Sequence, residues 1–129
     1  MQNTSDPEFH SVTPILAVDD PTAALAYYER VLGFAHAWSW GDPVRLIAVC
    51  RGDVELNLSG RTPSPPSAGA AIYIRMANVD AYYARVIAAG ARILVPLAAR
   101  EYGLCDFRLA DPYGNELSFG EVFADAPST

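Results

Sequence analysis

The sequence has too few histidines and cysteines for a metal or redox site built mainly from these residues. It contains two histidines and two cysteines among 129 residues. Cys50 and Cys105 lie 55 residues apart, which is not the spacing of a cysteine metal or redox motif. We expect both to be buried thiols in or beside strands, since unpaired cysteine is often buried.

The sequence also lacks long apolar runs and a positive net charge. No run approaches the roughly 20 residues of a membrane-spanning helix, and the N-terminus has no basic segment followed by an apolar stretch. The net charge of −6 at pH 7 argues against nucleic acid or an anionic membrane as a partner. We therefore expect a soluble cytoplasmic protein, and its 51% hydrophobic content is ample for the core of one domain.

One short phrase occurs twice. Residues 26–31 (AYYERV) recur with one change as residues 81–86 (AYYARV), 55 residues later. Each copy lies in an amphipathic stretch that ends at a glycine, Gly33 or Gly90. This predicts two copies of one supersecondary unit that share a core and enclose a groove where they meet.

The order of predicted elements supports that duplication. Each half contains a strand, a helix and three further strands. Asp20 and Pro21 are typical of a helix start, and Asn78 can cap the second helix. The proline-rich stretch between the halves predicts a linker. The predicted organisation is a flexible N-terminus at 1–11, one domain at 12–123 with modules 12–60 and 68–123 joined by linker 61–67, and a tail at 124–129.

Two segments resemble the glyoxalase/bleomycin resistance/extradiol dioxygenase (vicinal oxygen chelate) superfamily. Residues 27–34 (YYERVLGF) resemble its FYxxxLGF segment, and residues 107–115 (FRLADPYGN) resemble its FxxxDPxGN hairpin. The resemblance covers roughly residues 12–123. It implies an α+β fold in which two βαβββ modules form a curled mixed sheet around a cleft, commonly completed in a homodimer.

The resemblance also implies four metal-ligand positions, which enzymes of the superfamily fill with His, Gln or Glu. Three of them fall on Thr13, Ala71 and Ser118, and the fourth lies near Glu55 or Asn57. Alanine has no donor atom, and neutral hydroxyls are poor ligands for first-row metals. A catalytic site needs about three protein ligands, so we expect no metal and no other cofactor.

Without a metal, the resemblance narrows to the bleomycin-resistance branch, which sequesters a drug without altering it. Strand alternation places Phe34, His36, Trp38 and Trp40 on one face, as an aromatic wall. The wall is as consistent with core packing as with a pocket. Tyr102 and Gly103 resemble the family's aromatic-glycine loop beside the cleft. The predicted ligand-binding residues are Phe34, His36, Trp38, Trp40, Glu55, Asn57, Tyr102, Gly103 and Ser118.

We therefore predict a homodimeric, metal-independent protein that binds an aromatic or cationic drug of the bleomycin type. Glu55, Glu116 and Glu121 would supply negative charge for a cationic ligand. No nucleophile–base pair is visible from spacing, so no catalytic residue is predicted. One alternative is a metal-dependent lyase, isomerase or dioxygenase of the same superfamily, with Glu55 and Glu116 as non-standard ligands. Another is a non-catalytic partner or regulatory module.

Overall fold

The computed structural model describes residues 6–60 and 69–122. Within these residues the predicted order of strand, helix and three strands occurs twice. The elements are β1 (Ile15–Val18), α1 (Pro21–Arg30), β2 (Ala35–Trp40), β3 (Leu46–Arg51), β4 (Val54–Gly60), β5 (Ala71–Arg75), α2 (Val79–Ala88), β6 (Arg92–Ala99), β7 (Leu104–Ala110) and β8 (Glu116–Val122).

Each module forms its own four-stranded mixed sheet. The strand orders are β1-β4-β3-β2 and β5-β8-β7-β6. In both sheets the first strand of the module runs parallel to the last, so Ile15 lies beside Asn57 and Tyr73 beside Ser118. The remaining pairs are antiparallel. The predicted α+β fold of two βαβββ modules is confirmed, but in the described residues the two sheets remain separate and are not closed into one.

The repeated phrase does not occupy equivalent positions in the two modules. The helices begin at Pro21 and Val79, 58 residues apart, whereas the phrase recurs after 55. The buried helix residues follow the larger spacing: they are Pro21, Ala24 and Tyr28 in α1, and Val79, Tyr82 and Val86 in α2. The repeat thus marks both helices but is displaced by three residues, close to one helical turn.

Each helix covers one face of its own sheet. Helix α1 contacts β2, β3 and β4, and α2 contacts β6, β7 and β8. Their apolar stripes meet the inward side chains of the strands in one buried cluster that spans both modules. Because each helix covers only one face, the opposite face of each sheet stays open.

The start of α2 differs from the sequence prediction. Asn78 is the N-cap residue, but it has a left-handed backbone (φ 61°) and its side chain makes no cap hydrogen bond. Instead Glu121 accepts a hydrogen bond from the backbone N–H of Val79 over 2.9 Å. That hydrogen bond lowers the pKa of Glu121. Glu121 therefore stabilises the N-terminus of helix α2.

Side-chain hydrogen bonds join the two modules. The hydroxyl of Tyr82 donates to the carbonyl of Leu32 over 2.7 Å, within the buried core. The amide of Asn115 donates to the carbonyl of Ala17 over 2.9 Å, while its oxygen accepts from the N–H of Ala70. Buried polar groups that are paired in this way fix the modules relative to each other.

The two cysteines are less buried than predicted. Cys50 and Cys105 are unpaired and each is partly exposed. Both lie near a strand end, and Cys50 lies opposite Glu55 on the face of the sheet that helix α1 does not cover. Burial raises the pKa of the Cys105 thiol.

Some sequence predictions lie outside the described residues. These predictions are the linker at 61–67 and the tail at 124–129. The domain boundaries remain a prediction. Residues 6–14 contain no helix or strand. In the described ranges, neither helix is long and apolar enough to cross a membrane.

Candidate functional site

A β-bulge in β2 reverses the side-chain alternation that the sequence predicted. The register with β3 shifts between His36 and Trp38, so that His36 lies opposite Val49 and Trp38 opposite Ala48. Neighbours across a strand pair share a face, and the extra residue of a bulge changes which face follows. His36 therefore lies on the helix side, whereas Trp38 and Trp40 lie on the open face.

The predicted wall of four aromatic side chains is therefore wrong. Phe34 belongs to the core, only 4% exposed, with its ring edge-on to Tyr28 at 6.1 Å. His36 exchanges a hydrogen bond of 2.7 Å with Ser39, which the register places on the same side. Phe34 also lines a cavity of about 410 Å³ at the module junction.

The open face of the first sheet presents two accessible indole rings. Trp38 is 41% and Trp40 is 58% exposed. The guanidinium of Arg45 lies 5.1 Å from the centroid of a Trp40 ring, a distance typical of a cation–π contact. Ala48, opposite Trp38, adds only a methyl group to this surface. Trp38 and the part of Trp40 that Arg45 does not cover form an exposed aromatic surface suited to stacking.

Asn57 and Glu55 lie on the same open face. Asn57 is opposite Ala48, and Glu55 is opposite Cys50. The side-chain oxygen of Asn57 is buried and has no hydrogen-bond partner among the described residues. Leaving such an acceptor unpaired costs about 1–3 kcal/mol.

The open face of the second sheet is organised around Asp106, which is 6% exposed. Its carboxylate accepts hydrogen bonds from the hydroxyls of Tyr73 (2.7 Å) and Tyr102 (2.6 Å). It also forms an ion pair with Arg100 at 2.8 Å. Burial alone would raise the pKa of Asp106, but the three hydrogen bonds outweigh it and lower the pKa. The carboxylate therefore stays charged and fully engaged at neutral pH.

A glycine allows Tyr73 to reach this carboxylate. Gly120 lies between Arg75 on β5 and Asp106 on β7, and a Cβ added there would collide with the Tyr73 ring and hydroxyl. In the loop that carries Tyr102, Gly103 has a positive φ of 88°, which side chains other than glycine rarely adopt. These two glycines place both tyrosines against Asp106.

Together these groups enclose a pocket of about 250 Å³. Its lining residues are Tyr73, Val95, Arg100, Tyr102, Asp106, Phe107, Arg108 and Ser118. Of these, the predicted ligand-binding residues include Tyr102 and Ser118, and Arg108 is a strand residue that the sequence allows to face the cleft; the others were not predicted. Strand alternation could have indicated a polar site here, because Asp106 and Arg108 are polar residues two positions apart and therefore share one face of the strand.

The residues at the implied metal positions do not fit a divalent metal. Thr13 precedes β1, Ala71 has no donor atom, and Ser118 accepts a hydrogen bond from Nε of Arg108 over 3.2 Å. A second contact, of 3.4 Å, joins Arg108 to Glu116. A guanidinium beside these oxygens repels a cation. Nor does the described part of the chain contain a group of three or more His, Cys, Asp or Glu that could hold a metal ion.

The nine predicted site residues thus fall into three places. Trp38, Trp40, Glu55 and Asn57 share the open face of the first sheet, and Tyr102, Gly103 and Ser118 lie at the open face of the second. Phe34 and His36 lie on the helix side. Since the two sheets are separate in the described chain, these residues lie on two separate open faces, which we call the two candidate half-sites.

Comparisons with known proteins agree with this architecture. A family model described as the Glyoxalase/Bleomycin resistance protein/Dioxygenase superfamily matches residues 9–119. No curated protein sequence matches the chain.

Several solved structures share the fold. A bleomycin resistance determinant encoded on transposon Tn5 is 22% identical, with 88% of this chain and 98% of that chain covered and a TM-score of 0.75. A bleomycin-binding protein from Streptomyces verticillus, solved with copper(II)-bleomycin, is also 22% identical, with 88% and 97% covered and a TM-score of 0.71. A lactoylglutathione lyase from Agrobacterium tumefaciens is 24% identical, with 90% and 96% covered and a TM-score of 0.68.

The family match extends over most of the chain and includes both signature segments, the first βαβββ module and the second as far as β8. The similar solved structures include proteins that bind bleomycin and a lyase, so their fold does not select between binding and catalysis. On the family match and the fold together, this chain belongs to the Glyoxalase/Bleomycin resistance protein/Dioxygenase superfamily.

Proposed function

We propose that this protein binds an aromatic small molecule, such as an antibiotic of the bleomycin type, and sequesters it without chemical change. The observation that carries the proposal is the pair Trp38 and Trp40, which a bulge turns onto an uncovered sheet face. Two accessible indole rings supply a large stacking surface with little loss of conformational freedom. Sequestration needs no catalytic group, only a site that competes with the drug's target.

The metal positions support binding over metal-dependent catalysis. Arg108 places a guanidinium beside Ser118 and Glu116, so Glu116 is engaged by a cation. Glu55, the other non-standard ligand considered, lies on the other sheet. A lyase or dioxygenase that uses a metal as a Lewis acid would need donors that these positions do not supply.

We propose further that two copies associate so that the open face of the first sheet in one chain meets that of the second sheet in its partner. Each half-site alone is shallow and exposed, whereas small-molecule sites enclose most of their ligand. The exposed Trp38 and Trp40 belong to the surface that such an association would cover. Gel filtration with light scattering distinguishes a dimer from a monomer, and a monomer at micromolar concentration with ligand present would contradict this arrangement.

A recovery experiment separates sequestration from chemistry. The protein is incubated with a metal-free bleomycin and the complex is isolated. The drug is then released by denaturing the protein, and its molecular mass is measured by mass spectrometry. We expect saturable retention and an unchanged mass. Recovery of a chemically modified drug would contradict sequestration. Modification of the drug only after Ni, Zn, Mn or Fe is added would favour the metal-dependent alternative.

A further inference from the structure

The pocket on the second sheet has a local charge opposite to that of the whole chain. Among the residues that line it, Arg100 and Arg108 are positively charged and Asp106 is negatively charged. Their formal sum is +1, whereas the chain carries −6. A ligand in the pocket responds to the near charges, because those beyond about 10 Å are screened by salt.

The negative charge of Asp106 is already compensated. Arg100 pairs with it at 2.8 Å, and both tyrosine hydroxyls donate to it. A carboxylate that is 6% exposed and accepts three hydrogen bonds has little capacity left for a ligand cation. Tyr73 and Tyr102 therefore present their rings, not their hydroxyls, to the pocket.

Arg108, in contrast, retains donors. Its Nε bonds to Ser118, and its Nη1 makes a long, exposed contact of 3.4 Å with Glu116. In the ranges 6–60 and 69–122, no acceptor pairs with its Nη2. The side chain is 49% exposed and lines the pocket. A guanidinium in this state is suited to a two-oxygen acceptor such as a carboxylate.

We infer that the ligand presents a carboxylate or an equivalent oxyanion to Arg108, with its aromatic ring against Tyr73 and Tyr102. This inference rests on the proposed binding function and specifies the ligand's chemistry in the same site. It departs from the cationic ligand for which Glu55, Glu116 and Glu121 were predicted to supply negative charge. Glu121 caps α2 and Glu116 contacts Arg108, so neither adds an uncompensated negative charge to the pocket.

The test uses three probes with one ring system and different charges: naphthalene-2-carboxylate, naphthalene-2-carboxamide and 2-naphthylmethylammonium. Calorimetry with the full chain should show the carboxylate binding about tenfold more tightly than the carboxamide, as expected for a hydrogen bond to a charged group. The ammonium should bind most weakly. Equal affinity for all three would overturn the inference.

Variants locate the effect. Arg108→Gln should lose about tenfold affinity for the carboxylate with little change for the carboxamide, and Arg108→Lys should retain part of it. Arg85→Gln removes the same charge from an exposed position on α2 and should leave all three affinities unchanged. Near-ultraviolet circular dichroism checks that each variant is folded. Wild-type carboxylate affinity in Arg108→Gln would overturn the inference.

The two proposals fail in different ways. If the carboxamide and ammonium bind as tightly as the carboxylate, and the tryptophan positions control all three affinities, the oxyanion site is wrong but the binding function stands. If no naphthalene probe binds and no antibiotic binds, both are wrong.

Discussion

The hydroxyl of Tyr28 donates a hydrogen bond to the carboxylate of Asp111 over 2.8 Å, in the buried interior between the two modules. Tyr28 belongs to the first signature segment and Asp111 to the second, so the contact joins the two motifs that identify the family. The other oxygen of Asp111 accepts from the backbone N–H groups of Tyr113 and Asn115. One carboxylate therefore closes the hairpin turn and fixes helix α1 against it.

Removing the Tyr28 hydroxyl should destabilise the fold. Burial and the neighbouring Asp111 raise the pKa of Tyr28, so its hydroxyl remains a donor at every physiological pH. Tyr28→Phe leaves the buried carboxylate one hydrogen bond short, at a cost of about 1–3 kcal/mol. Urea unfolding measures the change in the free energy of unfolding.

The neighbouring tyrosine provides a matched control. Tyr27 makes only a 3.5 Å contact with the carbonyl of Ala110, at the limit of hydrogen-bond geometry. Tyr27→Phe should therefore change stability by less than about 0.5 kcal/mol. Equal losses from the two substitutions would show that the Tyr28–Asp111 contact has no special role.

Asp106 should make stability depend on pH in one direction. Its folded pKa is below the ordinary value, and that of an unfolded aspartate is about 3.9. The stabilisation is therefore complete above that pH and is lost as pH falls through the folded pKa. Asp106→Asn should lower the free energy of unfolding by about 1–3 kcal/mol at pH 7, and the difference from wild type should shrink at pH 3.

The same urea titrations on Asp53→Asn supply the comparison, because Asp53 lies in the exposed turn between β3 and β4. Its difference from wild type should stay near zero at both pH values. A wild-type advantage over Asp106→Asn that is as large at pH 3 as at pH 7 would contradict the charged-carboxylate account.

Gly120 should tolerate a methyl group only when Tyr73 is absent. Its φ is not positive, so the conflict is one of space and not of backbone conformation. Gly120→Ala should cost about 1–3 kcal/mol because the Tyr73 ring must move off Asp106. In a Tyr73→Ala background the same change should cost much less. A double-mutant cycle by urea unfolding measures this coupling, and additive effects would contradict the close approach.

Local patterns in the sequence predicted most of the fold. Three features have a short-range physical cause: the start of helix α1 at Pro21, the glycines that end the helices, and the hairpin turn at residues 111–114. The order of elements could therefore be predicted from the sequence. The repeat suggested duplication correctly but not its register. The six-residue phrase recurs after 55 residues because the two helices have similar composition. The buried positions of the two helices, which are structurally equivalent, are 58 residues apart.

The candidate site was less accessible, because a bulge and long-range contacts determine it. Strict alternation placed His36 with the tryptophans, and nothing in residues 34–40 signals the extra residue that separates them. Tyr73 and Asp106 are 33 residues apart and meet only after β5, β8 and β7 align. Tyr102 was found by its resemblance to a family loop, but its partner Asp106 was not.

The most direct test of the binding proposal is tryptophan fluorescence. The chain contains two tryptophans, and both lie on the open face proposed to bind the ligand, so the whole signal reports on that surface. Titration is performed with bleomycin and a panel of polycyclic and cationic antibiotics. Replacing both tryptophans by alanine should weaken binding about tenfold when measured by calorimetry. Ile87→Ala, which alters a similarly exposed side chain on α2, should leave it unchanged.

We predict saturable quenching or a spectral shift of Trp38 and Trp40 with at least one aromatic compound, accompanied by calorimetric heat at the same midpoint. If every compound in the panel leaves both the fluorescence and the heat unchanged, the protein is not a drug-binding protein of this kind.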